Sequence, residues 1–420
     1  MTGEAALRPV PRYAWLVFAL TFGLLISDYM ARQVLNAVFP LLKAEWALSD
    51  AQLGLLSGVV AVMVGLLTFP LSLLADRWGR VRSITVMALL WSVATLICAF
   101  AQSYEQMLLG RILVGIGEAA YGSVGIAVVI SVFPQRLRAT LSAAFMAGGL
   151  FGQVLGVGVG GAIAAAEGWR TAFLVIAAGG LALALLYPLL VRTGRMAEAA
   201  AKSGGVAAAI GLDERPGLSA IFATRSILCT YVGSGLQIYA VGALSAWLPT
   251  YLHRYYGLGV DRAGSLTGLL LLVAGAGMVT CGMLSDRVAR ASPHRIVPLA
   301  IFYCLTCAAL LWIALAVPPG PAQLLILGCA IFVAAGTTGP AGAIVSNLTP
   351  VAIHGTAFAT LTLANNLFGL APGPIVTGRL ADSIGLLDAL RLLPLAGLLA
   401  AAAFALALRS YRADLAAATQ

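Results

Sequence analysis

The sequence is short of charge, of histidine and of paired cysteine. Only 10% of its 420 residues are charged and 61% are hydrophobic, whereas an average soluble domain carries roughly 25% charged residues. So few charges cannot cover a water-soluble surface, which excludes a string of soluble domains. The three histidines, His253, His294 and His354, fall at the ends of apolar runs or between them. No Ser-His pattern or His-rich segment lies inside a run, so an embedded hydrolase or a metal centre has no residues to be built from. The six cysteines, Cys98, Cys229, Cys281, Cys304, Cys307 and Cys329, all sit within apolar runs. They lack the spacings of a disulfide framework or a zinc site and read as small packing residues. No Walker-type phosphate loop is present, which removes an ATP-driven pump, and neither cofactor nor metal is expected. The formal charge of +9 has no soluble domain from which to bind nucleic acid.

What the chain has instead is long apolar runs, recurring every 30 to 35 residues or so. Each is long enough to cross about 30 Å of hydrocarbon as a helix. Twelve are expected, at about 13–42, 50–75, 81–101, 105–133, 139–166, 170–191, 225–252, 262–285, 295–317, 321–349, 355–382 and 386–409. Arg8 and Arg12 precede the first run, which is too long for a signal-peptide core and lacks a cleavage pattern after it, so it is expected to stay. The one long polar connector follows the sixth run and holds Arg195, Lys202, Asp213, Glu214, Arg215 and Pro216. It divides the chain into an N-terminal bundle over 1–192, a linker over 193–224 and a C-terminal bundle over 225–420.

Lysine and arginine are unevenly shared between the two sides. Arg8, Arg12, Arg77, Arg80, Arg82, Arg136, Arg138, Arg192, Arg195, Lys202, Arg215, Arg225, Arg287, Arg290, Arg295, Arg409 and Arg412 fall on the side of the N-terminus, against only Lys43, Arg170, Arg254, Arg262, Arg379 and Arg391 on the other. The positive-inside rule then puts both termini in the cytoplasm, with a bacterial inner membrane as the expected location.

The halves echo each other. Leu74-Ala75-Asp76-Arg77-Trp78-Gly79-Arg80 follows the second run and Leu284-Ser285-Asp286-Arg287-Val288-Ala289-Arg290 follows the eighth. Duplicated halves place a site at the midplane between two moving bundles in many secondary transporters. The fourth run opens Arg111-Ile112-Leu113-Val114-Gly115-Ile116-Gly117-Glu118, and Gly148, Gly152, Gly156 and Gly160 line one stripe of the fifth. Such a stripe lets a neighbouring backbone approach closely. Gly156-x-Gly158-x-Gly160-Gly161 is no nucleotide loop, since no strand precedes it and it lies inside a bilayer-length helix.

Four charges lie deep within runs: Asp28 and Glu118, Arg32 and Arg111. An ionised group at that depth costs at least ~2.5 kcal/mol unless it is paired or hydrated. At about 1.5 Å per residue both carboxylates fall near mid-bilayer. Arg32 stands one turn from Asp28, and Arg111 two turns from Glu118, each on the same helical face as its acid. All four are therefore expected to meet across one helix interface. Desolvation and a nearby guanidinium push a carboxyl in opposite directions, so an arginine that leaves when the cavity reopens would couple proton binding to conformation. A static ion-pair network that fixes helix register is the other reading. The C-terminal half offers polar rather than charged candidates for a cavity wall: Tyr231, Gln237, Tyr239 and Trp247, then Thr337, Thr338 and Asn347, then Asn365 and Asn366, with Tyr121 on the other side. Helix-packing hydrogen bonds are the competing role for each.

The segment Leu71 to Ser83, the R-x-x-x-G-x-G opening and the glycine stripe together resemble the signatures of major facilitator transporters. That resemblance implies an all-α membrane protein, with twelve transmembrane helices in two pseudo-symmetric six-helix bundles. It implies rocking-bundle alternating access, with Asp76, Arg77, Arg80, Asp286, Arg287 and Arg290 in a gating role. Within that superfamily, Arg111 to Tyr121 and Gln52 to Ser57 look like the spinster family of lysophospholipid and sphingolipid-like transporters. The resemblance departs at Ile126 and Ser131, where the family carries Pro and Asp, and at Ala31-Arg32, where it carries Asp-Arg. It carries over Arg32 and Glu118 directly, and Asp28, one turn away, substitutes for the missing acid. The expectation is a proton-coupled secondary transporter of an amphipathic lipid-like substrate. Asp28 and Glu118 would be its protonatable groups, and Arg32 and Arg111 their partners or the grip on a head group. Organic-anion symporters and multidrug antiporters of the same fold are the alternatives. The partners are then the bilayer, the substrate and protons, and nothing demands more than a monomer.

Overall fold

The computed structural model describes residues 10–203, 221–222, 224–350 and 353–418, among which every regular element is a helix. Most of the connector between the sixth and seventh runs lies outside them. Crossings one to three are α1 (Arg12–Ala37, extended by the short α2, Phe39–Trp46), α3 (Asp50–Trp78) and α4 (Arg80–Ala99). The fourth is broken into α5 (Tyr104–Glu118) and α6 (Tyr121–Val132), and α7 (Gln135–Glu167) and α8 (Trp169–Leu190) complete the first six. After α9 (Thr193–Ser203) come α10 (Arg225–Tyr256), α11 (Val260–Ala291) and α12 (Ile296–Ala316), then a tenth crossing split into α13 (Pro321–Ala334) and α14 (Thr338–Leu348). The eleventh is α15 (His354–Asn365), a π-helical turn (Asn366–Leu370) and α16 (Pro372–Ile384), and the twelfth is α17 (Leu386–Arg391) with α18 (Leu393–Ala418).

Eleven helical runs among the described residues are long and apolar enough to span a bilayer. The missing one is the eleventh crossing, shortened by its π turn. Pro372 cannot donate a backbone hydrogen bond, and the Ala371 N–H reaches back to the Asn366 carbonyl at 2.9 Å, an i to i−5 bond that absorbs the extra residue. With twelve crossings both chain ends lie at one face, called here the terminal face.

The glycine stripe of α7 lies against α1. A Cβ at Gly152 would sit 2.6 Å from the Ile26 carbonyl oxygen, and one at Gly156 2.9 Å from the Met30 Cα. Gly148 and Gly160 meet Phe22 and Val34 in the same way, so two i, i+4 rows interlock with backbones nearly touching. This contact fixes the helix that carries Asp28 and Arg32.

The two halves are fused at the face opposite the termini and separate at the terminal face. At the fused end one apolar cluster draws on both halves, joining Val34, Phe39 and Leu53 to Trp247, Tyr251 and Leu386, with the Phe39 and Trp247 rings 5.3 Å apart. Towards the terminal face each half keeps its own cluster, one around Trp91, Tyr121 and Phe145 and the other around Tyr231, Ile344 and Phe404. A polar clasp reinforces the fused end. Arg254 of α10 donates to both carboxylate oxygens of Asp50, at 2.8 and 2.6 Å, and Lys43 adds a bond of 2.6 Å. Asp382 of α16 accepts from the backbone N–H groups of Asp50 and Ala51.

The α1 and α7 contact yields a direct test. Gly152→Val is expected to cost about 2 kcal/mol through overpacking, read as a lower Tm of the detergent-solubilised protein. Gly158→Val, where an added Cβ meets nothing within 4 Å, is expected to leave Tm unchanged.

Candidate functional site

The site is assembled by two glycines. A Cβ at Gly115 would lie 2.7 Å from the Met63 Cβ on α3, and one at Gly117 2.7 Å from the Trp91 nitrogen on α4. The G-x-G step therefore lets α5 nest between α3 and α4, which brings its last residue, Glu118, opposite α1. The helix breaks directly after it, at Ala119 and Ala120.

Three of the four deep charges come together there. An Arg32 Nη1 stands 3.9 Å from a Glu118 carboxylate oxygen, an ion pair without a close hydrogen bond. The carboxyl groups of Asp28 and Glu118 are buried neighbours. One oxygen of each, Asp28 Oδ1 and Glu118 Oε1, is buried with no hydrogen-bond partner. The side chain of Arg32 keeps 18% of its surface exposed, against 4% for Glu118. It is thus the member of the group that an incoming molecule can touch.

Arg111 is close by and differently engaged. It is wholly buried, and its guanidinium donates to three carbonyls: Ala31 at 2.9 Å, Arg32 at 3.0 Å and Leu56 at 3.3 Å. The expected partnership with a carboxylate is replaced by a fork that ties α1 to α3 and holds the backbone of Arg32 itself. With three of its five N–H groups on main-chain carbonyls and no exposed surface, the guanidinium is turned away from any incoming head group. Tyr121 also departs from its expected place in a cavity wall. It is wholly buried, donates to the Thr21 carbonyl at 2.6 Å and stands edge-on to Trp91 at 4.9 Å, so it is a packing residue of the first half.

The polar candidates of the second half cluster around α10. Ser234 donates to Asn365 Oδ1 at 2.8 Å, Gln237 donates to the Ala334 carbonyl at 3.1 Å, and Asn366 donates to the Thr362 carbonyl at 2.9 Å. Gln237 Oε1 and Asn366 Oδ1 remain buried and unpartnered. Tyr231 is buried and only weakly bonded, its hydroxyl 3.5 Å from the Ala357 carbonyl, while Tyr239 is half-buried.

At the terminal face Arg77, Asp286, Arg287 and Arg290 are exposed, and Arg80 reaches only the Ala127 carbonyl, at 3.4 Å. None of them makes an ion pair among the described residues, in keeping with halves that are apart at that face. The Asp76 side chain lies outside the described residues. Two features carry no periodic signal in the sequence. One is the clasp of Lys43, Asp50, Arg254 and Asp382. The other is an amide chain, in which Asn36 donates to Gln33 at 2.6 Å and Gln33 to Gln153 at 3.3 Å. Residues at run ends and single amides have no periodicity that would mark them.

The sequence profile of the Major Facilitator Superfamily matches residues 21–374. A gallate transporter of Pseudomonas putida is 28% identical over 70% of this chain and 70% of its own length. An MFS-type efflux pump of Mycolicibacterium smegmatis is 29% identical over 90% of this chain and 86% of its own. Among solved structures, a bacterial homolog of the human lysosomal transporter Spinster, in an inward-facing and occupied conformation, superposes with a TM-score of 0.85 at 21% identity. That superposition covers 97% of this chain and 99% of the other.

The two arginines separate by their surroundings. Arg111→Lys loses the planar fork and is expected to cost about 2 kcal/mol or more, visible as a lower Tm in detergent. Arg32→Lys is expected to change stability by no more than about 0.5 kcal/mol.

Proposed function

The chain belongs to the Major Facilitator Superfamily and is a transporter, and from that premise we propose that it carries a small organic anion together with a proton. The observation that carries this reading is the neighbouring buried carboxyls of Asp28 and Glu118 beside the partly exposed Arg32, 3.9 Å from Glu118. Two carboxyls that share a buried site hold one proton between them, so the pair carries one negative charge, which Arg32 balances. A substrate carboxylate that draws Arg32 to itself leaves the pair without its cation. One further proton restores charge balance, so anion and proton favour each other's binding, and by linkage they do so reciprocally.

The halves, 1–192 and 225–420 joined by the linker 193–224, then rock about the site. The positive-inside bias supports cytoplasmic termini in a bacterial inner membrane, so that the fused face is the outer one. Arg77, Arg80, Asp286, Arg287 and Arg290, with Asp76, would meet when the terminal face closes. Tyr239 and Asn365, both half-buried, supply neutral, hydrogen-bonding groups in the second half, suited to hydroxyl groups, whereas Gln237 and Asn366 are buried and bonded within that half. The gallate transporter is named for a hydroxylated carboxylate, and this kinship favours an anion over the lipid-like substrate that the spinster resemblance implies.

The test is uptake into proteoliposomes under an imposed pH gradient, across hydroxylated aromatic and sugar acids, lysophospholipids and cationic drugs. Gradient-driven accumulation of a carboxylate is expected. Glu118→Gln should abolish accumulation while leaving substrate exchange at equal pH. Arg32→Gln should raise KM by about tenfold or more through loss of a charge-assisted bond. Accumulation that survives Glu118→Gln overturns the coupling, and selective flux of lysolipid or drug overturns the anion.

A further inference from the structure

We propose that Asp382 is a reversible latch between the halves, a carboxylate that caps the first turn of α3 from across the interface only while the face opposite the termini is shut. The first N–H groups of a helix have no partner within it. At α3 the helix's own Ser49 takes the Gln52 N–H at 3.1 Å, and Gln52 returns a bond to the Ser49 N–H at 3.0 Å. The next two donors are left to the other half of the molecule. The Asp50 N–H meets Asp382 Oδ1 at 2.7 Å and the Ala51 N–H meets Oδ2 at 2.9 Å. Both oxygens of one carboxylate are thus spent on the positive end of a helix to which it does not belong.

Close backbone approach puts Asp382 there. A Cβ at Gly378, one turn earlier on α16, would lie 2.3 Å from the Asp50 carbonyl oxygen, and one at Gly54 would lie 2.3 Å from the Pro374 carbonyl oxygen. The two acids, Asp50 and Asp382, are kept from opposing each other because Asp50 is held separately, by Arg254 of the second half and Lys43 of the first. Opening this face breaks every bond from Asp382 and from Arg254 to the start of α3.

The chain repeats this device. Leu380-Ala381-Asp382-Ser383-Ile384-Gly385 has the same pattern as Leu74-Ala75-Asp76-Arg77-Trp78-Gly79, L-A-D-x-x-G. The two endings also share a backbone: Gly385 has φ 88° and Gly79 φ 89°, and each N–H closes onto the alanine carbonyl of its motif, at 2.9 and 3.1 Å. Since α3 and α16 belong to crossings of opposite direction, one ending stands at each mouth of the space between the halves. Asp382 is therefore the far-face counterpart of the aspartate in the gating segment.

The inference goes beyond the proposed function and needs no substrate. Val157, buried where α7 meets Gly264 of α11, is replaced by cysteine in the full chain with its six native cysteines exchanged for serine or alanine. A membrane-impermeant maleimide is then applied separately from each side of vesicles. Asp382→Ala is expected to raise labelling from the face opposite the termini about tenfold. Asp382→Asn should give a smaller rise, because its amide oxygen still accepts one bond, and Arg254→Gln should also raise labelling. If Asp382→Ala is not recovered as a folded protein, Asp382→Asn decides. Parental labelling rates in Asp382 variants overturn the latch, and so does a lower Tm without faster labelling, the mark of a merely structural cap. Because labelling requires neither gradient nor substrate, failure of the transport reading leaves this test intact.

Discussion

The constraint on which the molecule turns is the cost of holding ionised groups in a medium that does not solvate them. Asp28, Asp50, Arg111 and Glu118 are the buried charged residues among those described, and all lie in the first half. Each is compensated in a different way. Arg111 spends three of its N–H groups on main-chain carbonyls. Asp50 is gripped by two cations at the closed face. Asp28 and Glu118 have only each other and a distant Arg32, with an oxygen apiece left over. The buried charges are thus unequally satisfied, Arg111 and Asp50 by several bonds each and the two carboxyls of α1 and α5 incompletely.

The packing of the first half serves that arrangement. Gly115 and Gly117 seat α5 so that it ends at the carboxylate, and the glycine rows of α7 fix α1 against it. Arg111 then ties the backbone of Arg32 to α3. The geometry around the two carboxyls is thus set by backbone contacts, which deform little, while the apolar clusters join the halves at one face and stay within each half towards the other. Small residues at close helix contacts suit a membrane interior, where burial of apolar surface gives no drive for helices to associate.

The sequence carried the crossings well, because an apolar run long enough to span a bilayer seldom serves any purpose except spanning one. It located the charged group for a similar reason, rarity at depth. It was silent on partners. Nothing in the spacing of Arg111 reveals that its acceptors are main-chain carbonyls, since such acceptors have no side-chain signature, and Tyr121 reads as a cavity residue until the Thr21 carbonyl is seen beneath its hydroxyl. The break in the eleventh crossing was masked by an unbroken apolar run, although Gly369 and Pro372 stand within it. Asp382 stands at the end of an apolar run, where a charge is ordinary. Its L-A-D-x-x-G ending was there to be matched, but only against a segment of the opposite half running in the opposite direction.

The confinement of the buried charges to one bundle has an electrical consequence. A unit charge that moves through the full potential of a membrane at 100 mV changes energy by about 2.3 kcal/mol. The second half holds no buried charged side chain among its described residues. The buried charges that lie within the field are therefore those of the first half.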